Sequence, residues 1–494
     1  MRMKELRIKD HGNIYCVQAE EDSSLLDVFR AHGIRVPAVC GGQGTCGKCR
    51  VKTDIGEVLA CRTYMKEIHE AETIEEGSGL IQDMIIAETG PGNKQGTGAA
   101  VDLGTTTIVV KVFDLESGKE LGTQSAWNDQ RSYGADVISR IKYCMDHPDG
   151  LQTLQNTVNE QIEDMIRHIV PEVTETVIAG NTVMEHIAAG ISPVSIAQAP
   201  YRPETLFQEK AEGPVQYMPC AAGYVGGDIT AGLLACDLLG EPGTTLFLDI
   251  GTNGEMVLYR DGRFLCCAAA SGPAFEGADI SCGMPAVSGA VSRVTMDDSL
   301  HMEVIGNTEA RGICGSGLLD LIAVLLEEGV IDSFGRLLPP DEAPEAWTSM
   351  LEEDENGNGR LRINEQVFLS AADVRQVQLA KGAVAAGSEI LLRTAGINAD
   401  DVSRVILAGG FGSKMDPRSA EIIGMMPEGS ADKTVPAGDT ALAGAVRVLL
   451  NEEEYDTLKE ILSRCTYIEL SGHPDFNRIF TEKMLFGEEE ELWN

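Results

Sequence analysis

The sequence predicts an α/β protein that carries a smaller α+β unit at its amino end. Three observations predict it. The first 88 residues read as strand, strand and helix, followed by a loop dense in glycine and cysteine. From residue 98 onward strands and helices alternate, the pattern of sheets flanked by helices. Within that larger region a short motif, an apolar strand ending in Asp and a Gly-Thr turn, occurs twice. At 494 residues the chain exceeds one compact core and divides into several units.

In order along the chain, Leu6 and Ile8, then Ile14 and Cys16, alternate with polar residues around the turn His11-Gly12-Asn13, which predicts two short strands. Ser23-Ser24 offers a cap for a short amphipathic helix built on Leu25, Leu26, Val28 and Phe29. Strand, strand, helix and cysteine loop over residues 1–88 are compatible with a β-grasp ferredoxin. Residues 89–97, TGPGNKQGT, hold almost nothing to bury and read as a linker. A first lobe is expected over 98–240 and a second over 241–488. Val101 and Ile108–Val110 predict strands, while Leu154, Val158, Ile162, Met165, Ile166 and Ile169 fall at helical spacing. Further strands are predicted at Leu246–Leu248 and Val405–Leu407, and helices at Leu318–Leu326 and Val374–Leu392. The acidic segment Asp354–Arg360 reads as a surface turn, since its spacing fails the calcium-loop template.

Composition narrows the function classes. Apolar residues are 43 % and charged residues 23 %, values of an ordinary folded chain. No run of about 18 apolar residues occurs, and the amino end lacks the apolar core of a signal peptide. A cytoplasmic location without membrane contact is the expectation. Against 39 basic residues stand 77 acidic ones, a net charge of −38, which repels nucleic acid and anionic lipid alike. In a reducing compartment the thirteen cysteines are thiols or metal ligands.

Four of them carry the first chemical signal. Cys40 and Cys46 are separated by five residues, Cys46 and Cys49 by two, and Cys61 follows after eleven more. Four thiolates at such spacing can hold two irons and two sulfides. The intervening glycines let backbone N–H groups curl toward sulfur and tune its potential. The alternative is a zinc site on the same thiols, although zinc sites commonly use two Cys-x-x-Cys pairs and this stretch has one. The overlapping Gly42 to Lys48 run matches most of a P-loop, but Cys49 stands where the magnesium-binding hydroxyl belongs. The loop resembles plant-type [2Fe–2S] ferredoxins, departing from them by a first gap of five residues and a short last gap.

The repeated motif carries the second signal. Val101-Asp102-Leu103-Gly104-Thr105-Thr106-Thr107 is echoed by Leu248-Asp249-Ile250-Gly251-Thr252-Asn253-Gly254. An Asp at the strand end can hold hydrated Mg2+, the glycine admits a phosphate, and threonine hydroxyls with turn N–H groups donate to its oxygens. Either copy alone is also a plain hairpin, Asn253-Gly254 being a favoured hairpin turn. The third element, Val405-Ile-Leu-Ala-Gly409-Gly410-Phe411-Gly412, is a strand entering a glycine-rich turn on which adenosine can lie. Together the three resemble the phosphate-1, phosphate-2 and adenosine motifs of the acetate kinase, sugar kinase, heat-shock chaperone and actin superfamily. That resemblance implies two ribonuclease-H-like lobes closing on ATP.

A [2Fe–2S] unit fused to this ATPase fold resembles the reductive activators of corrinoid proteins. The stretches Ala179–His186, Ser271–Ala278, Gly312–Leu319 and Asp373–Gly382 add to the likeness. The resemblance implies ATP-dependent return of a Co(II) corrinoid to Co(I) on a partner corrinoid protein. It also implies a ferredoxin or flavodoxin as electron donor, and a homodimer. No catalytic residue is assigned. Asp102 and Asp249 are magnesium candidates or turn-capping aspartates. Lys381 either touches nucleotide or is a solvated lysine, and Glu276 and Asp228 either contact water or partner or are loop residues. Competing functions are an activator of 2-hydroxyacyl-CoA dehydratases, a non-catalytic redox sensor, and a small-molecule kinase.

Overall fold

The computed structural model describes residues 3–10, 13–36, 38, 42, 44, 49–74, 92–277, 279–297, 299–354, 357 and 359–487. Cys40, Cys46 and the first residues of the expected linker lie outside them.

At the amino end β1 (Met3–Asp10) and β2 (Asn13–Glu20) form the expected hairpin. Leu6 and Ile8 alternate inward, so one face of the sheet is apolar. α1 (Leu25–Ala31) starts where Ser24 Oγ accepts the Asp27 N–H at 3.1 Å, and it buries Leu25, Leu26, Val28 and Phe29 on that face. β3 (Arg50–Thr53), β4 (Gly56–Leu59) and β5 (Glu70–Thr73) complete a mixed sheet of order β2-β1-β5-β3-β4. β5 pairs parallel to β1 in its centre, the topology of a β-grasp.

The first lobe contains β6 (Thr97–Leu103), β7 (Thr107–Asp114), β8 (Glu120–Trp127), α2 (Val137–Asp146), α3 (Gly150–Arg167), β9 (Glu175–Gly180), α4 (Thr182–Ala189), β10 (Val215–Tyr217) and α5 (Gly227–Ala235). β6, β7 and β8 run antiparallel, and β9 and then β10 add in parallel beside β6. The second lobe opens with β11 (Thr244–Ile250), β12 (Gly254–Arg260) and β13 (Arg263–Ala269). There follow β14 (Ala290–Met296), β15 (Leu300–Val304), β16 (Gly312–Ile313), α6 (Gly315–Glu327), β17 (Leu351–Glu353), β18 (Gly359–Arg362), β19 (Phe368–Ser370) and α7 (Ala371–Ala395). It ends with β20 (Arg404–Ala408), α8 (Gly409–Gly412), α9 (Pro417–Ile422), β21 (Thr434–Gly438), α10 (Thr440–Leu450), α11 (Glu454–Ser463), β22 (Cys465–Tyr467) and α12 (Phe476–Lys483). β11, β12 and β13 are antiparallel, and β20 and β21 add in parallel beside β11. The two lobes therefore repeat one topology. Each repeated Asp-Gly-Thr motif is the hairpin at the start of its sheet.

The lobes meet through α5 and α10, which cross with almost nothing between them. A Cβ on Gly444 would stand 2.1 Å from the Ala231 carbonyl oxygen, and one on Gly232 would stand 2.7 Å from Thr440 Oγ1. One apolar core runs across the junction, joining Ala100 and Val177 to Leu233, Phe247, Ile406 and Leu442. Gly444→Val is expected to force the helices apart and cost about 1–3 kcal/mol of overpacking strain. The shift of the urea unfolding midpoint measures it.

The amino-terminal unit rests on the first lobe. Arg35 pairs with Asp129. Arg30 donates from Nε to the Ser132 carbonyl at 2.8 Å, and its guanidinium lies 5.4 Å from the Tyr133 ring centre. Among the described residues no helix is long and apolar enough to cross a membrane.

Candidate functional site

The β3–β4 hairpin brings two of the four sequence-predicted cysteines together. Cys49 precedes β3, Cys61 follows β4, and the Ala60 N–H donates to the Cys49 carbonyl at 2.8 Å. The two Sγ atoms are 3.3 Å apart and both thiols are free of disulfides. Thiolates at about 2.3 Å from one tetrahedral metal stand about 3.8 Å from each other, so this pair would open by about half an ångström to ligate a single metal ion. Cys49 is buried, which keeps water from that side of the group. Gly42 and Gly44, in the loop before it, have φ of +95° and +77°, the left-handed conformation that glycine supplies. Cys40 and Cys46 lie outside the described residues.

The three glycine-bearing turns, 104–107, 251–253 and 409–411, line one cleft of about 1080 Å³, with Asp102 and Asp249 among its walls. The first turn is held from three directions. Buried Arg140 donates to the Thr105 carbonyl at 2.5 Å, Asn181 Nδ2 to Thr105 Oγ1 at 3.0 Å, and Asn128 Nδ2 to the Gly104 carbonyl at 2.9 Å. Burial pulls the Arg140 guanidinium down to about 9. The second turn closes with Gly251 N–H donating to the Asn253 carbonyl at 2.9 Å, and Ser271 Oγ steadies it by donating to the Gly251 carbonyl at 3.1 Å. The third element is not an open turn: residues 409–412 form one helical turn, α8, entered at Gly409 with φ +79°. A Cβ there would stand 2.4 Å from Asp249 Oδ1, so glycine lets this turn lie against the acid. Phe411 stacks on Phe275 with ring centres 4.8 Å apart.

Four aspartates line the cleft. Asp102 and Asp249 end β6 and β11; Asp228 lies in the first turn of α5, and Asp439 caps α10 by accepting the Leu442 N–H at 2.9 Å. The other oxygen of Asp439 is buried and has no hydrogen-bond partner. Burial, then repulsion from Asp228 and Asp439, pushes the Asp249 carboxyl up to about 7. Burial lifts Asp228 and Asp439 to about 6, and raises Asp102 well above the usual range with help from its three acidic neighbours. Glu255 on β12 is raised for the same reasons. Asp439 and Glu255 are buried and the other three acids half-buried. The orphaned Asp439 oxygen leaves this cleft wall favouring a nearby positive charge, although among the described residues no three of these groups are set to ligate one metal ion directly.

Other residues fall elsewhere than expected. Lys381 neither lines the cleft nor meets solvent. It is buried, its Nζ donates to the Leu485 carbonyl past the end of α12, and burial lowers its amine to about 7. Of four further cysteines whose residue type favours a buried small side chain over a ligand, Cys266, Cys267 and Cys314 are buried and Cys282 is half-buried. Asp439 is not singled out by the sequence, because an acid that caps a helix looks the same there whether or not it also lines a cleft. The one signal was an acid directly before an apolar helix, the same placement that Asp228 shows near the start of α5.

Comparison with known proteins matches this chain along most of its length. Three family models apply: the 2Fe-2S iron-sulfur cluster binding domain over residues 8–81, the RACo middle region over 97–241, and the C-terminal domain of RACo, the ASKHA domain, over 243–494. The chain is 30 % identical over 580 aligned positions to the corrinoid activation enzyme RamQ of Eubacterium limosum, covering 96 % of this chain and 98 % of that one. It is 25 % identical over 435 positions to the [Co(II) methylated amine-specific corrinoid protein] reductase of Methanosarcina barkeri, covering 78 % and 76 %. Among solved structures, a reductive activator for corrinoid, iron-sulfur protein superposes with a TM-score of 0.70 at 29 % identity, covering 97 % and 98 %.

Proposed function

This chain belongs to the RACo family of reductive activators of corrinoid proteins, and we propose that it passes one electron, under control of ATP, to the Co(II) corrinoid of a partner protein, yielding Co(I). The observation that carries this reading is the joining, in one chain, of a converging cysteine pair and a two-lobed nucleotide cleft. Cys40, Cys46, Cys49 and Cys61 would hold the [2Fe–2S] cluster, which when bound supplies the one-electron carrier. Turns 104–107 and 251–253 would take the phosphates of ATP, and 409–411 its adenosine. Asp102 and Asp249, with Asp228 and Asp439 beside them, would hold Mg2+ through its water shell, since among the described residues no three such groups are set to ligate a metal ion directly.

The energetic problem explains the nucleotide. Plant-type clusters lie at about −400 mV, and Co(I) is a stronger reductant. Each 100 mV uphill costs about 2.3 kcal/mol per electron. A nucleotide that binds the closed lobes better than the open ones supplies free energy through differential affinity, without phosphorylating a substrate. The donor that re-reduces the protein is a ferredoxin or flavodoxin, and the active species is a homodimer. The test mixes the anaerobic protein, a chemical reductant and a Co(II) corrinoid protein, and follows Co(I) absorbance. Multiple turnovers with ATP and a small signal without it are expected; equal signals would refute the reading.

A further inference from the structure

Glu276 ties the two phosphate turns together across the cleft. It ends the short helical turn Ala274–Glu276 between β13 and β14. Thr106 Oγ1, from the first lobe, donates to its Oε2 at 2.9 Å. Thr252 Oγ1, from the second lobe, donates to its Oε1 at 2.6 Å. One carboxylate thus accepts a hydroxyl proton from each of the repeated turns. Its position is fixed from both sides. Phe275 is buried and stacks on Phe411 of the adenosine element, and Gly277 turns the chain at φ +78° against the Met284 backbone.

We propose that Glu276 is a positioning residue that acts as a latch: its carboxylate occupies the terminal-phosphate place of the nucleotide-free cleft, and a nucleoside triphosphate must displace it to bind. The proposal rests on the nucleotide reading above and goes beyond it. On the nucleotide reading, the polyphosphate runs from 409–411 toward the two threonine turns, and the latch assigns its terminal phosphate to the place between Thr106 and Thr252. A carboxylate and a phosphate cannot share the same two donors, because both are anions and both need the protons. A diphosphate stops short and leaves the carboxylate seated. The latch therefore converts the third phosphate into a difference between two states, which is the condition for a ligand to shift a conformational equilibrium.

The test titrates Mg-ATP and Mg-ADP into the full-length wild type, Glu276→Ala and Glu276→Gln, with binding heats as the readout. Removing the competitor is expected to tighten ATP about tenfold in the alanine variant, a coupling of about 1.4 kcal/mol, and less in the glutamine variant. ADP affinity should stay within about twofold, since its phosphates do not contest the latch. Amide exchange at residues 104–107 and 251–254 should be faster in nucleotide-free Glu276→Ala than in the wild type, and equal once ATP is bound. If the alanine variant does not fold, the isosteric glutamine variant carries the comparison. ATP affinity unchanged or weakened in the variants, or ATP and ADP tightened alike, overturns the latch while the nucleotide site stands. A wild type that takes up no nucleotide overturns both.

Discussion

Cys49→Ser is expected to abolish cluster assembly and leave nucleotide binding intact. Cys49 is buried beside the β3–β4 hairpin with its sulfur 3.3 Å from that of Cys61. A serine hydroxyl there keeps the volume but ionises far less readily than a thiol, so one metal–ligand bond is lost at an anchored position. Neither the hairpin nor the sheet needs the sulfur for its backbone pairing, since Ala60 N–H bonds the Cys49 carbonyl. Iron and acid-labile sulfide should fall toward zero, the visible absorption should vanish, and ATP titration heats should match the wild type. Co(I) formation should then be lost even with ATP present. Retained iron in the variant would remove Cys49 from the ligand set.

Asp249→Asn has the second largest expected effect, and its sign depends on what is bound. In the nucleotide-free protein the half-buried Asp249 carboxyl is pushed up to about 7, first by desolvation and then by repulsion from Asp228 and Asp439. Its unfolded value is about 3.9. The folded chain therefore binds the proton more tightly. That contribution to stability is full below about 3.9 and lost as pH rises through 7. The metal-free wild type should lose stability relative to Asp249→Asn as pH rises from about 4 to about 7, and the difference should stay constant above that. Mg-nucleotide reverses the order. At a ligand concentration 100 times Kd the wild type gains about 2.7 kcal/mol, and the variant, lacking the charge, gains little. Melting temperatures across pH, with and without Mg-ATP, read both halves. A Mg-ATP increment unchanged in the variant would take Asp249 out of the metal site.

Much of this was legible in the sequence because the chemistry demands particular residue types at particular spacings. Thiolates must recur at short intervals to share a cluster, and a phosphate turn needs Gly and Thr after a strand, so Cys49 and Thr106 stand out in a row of letters. β1, β2 and α1 follow from alternation and from one serine cap. What the sequence hides is long-range company. Asp228 and Asp439 sit in separate lobes, and each alone is a helix-start acid; only folding places them beside Asp102 and Asp249. Glu276 reaches Thr106 across 170 positions of chain, a contact no periodicity encodes. Lys381 has the composition of a surface lysine, but the polypeptide past α12 covers it. α8 was hidden because two glycines in a row argue for an open turn, and the Phe275 ring that stacks on its Phe411 comes from a distant stretch of chain.

The continuous core through α5 and α10 also governs how the molecule comes apart. Leu233, Leu234 and Leu238, at the end of the first lobe, are covered in a cluster that includes Phe247, Leu442 and Val446 from the second. Neither half can shed its neighbour without wetting that surface. Residues 97 to 487 should therefore melt in a single calorimetric transition, with no half-denatured species. A fragment stopped at residue 241 would be sticky and insoluble instead of a working half.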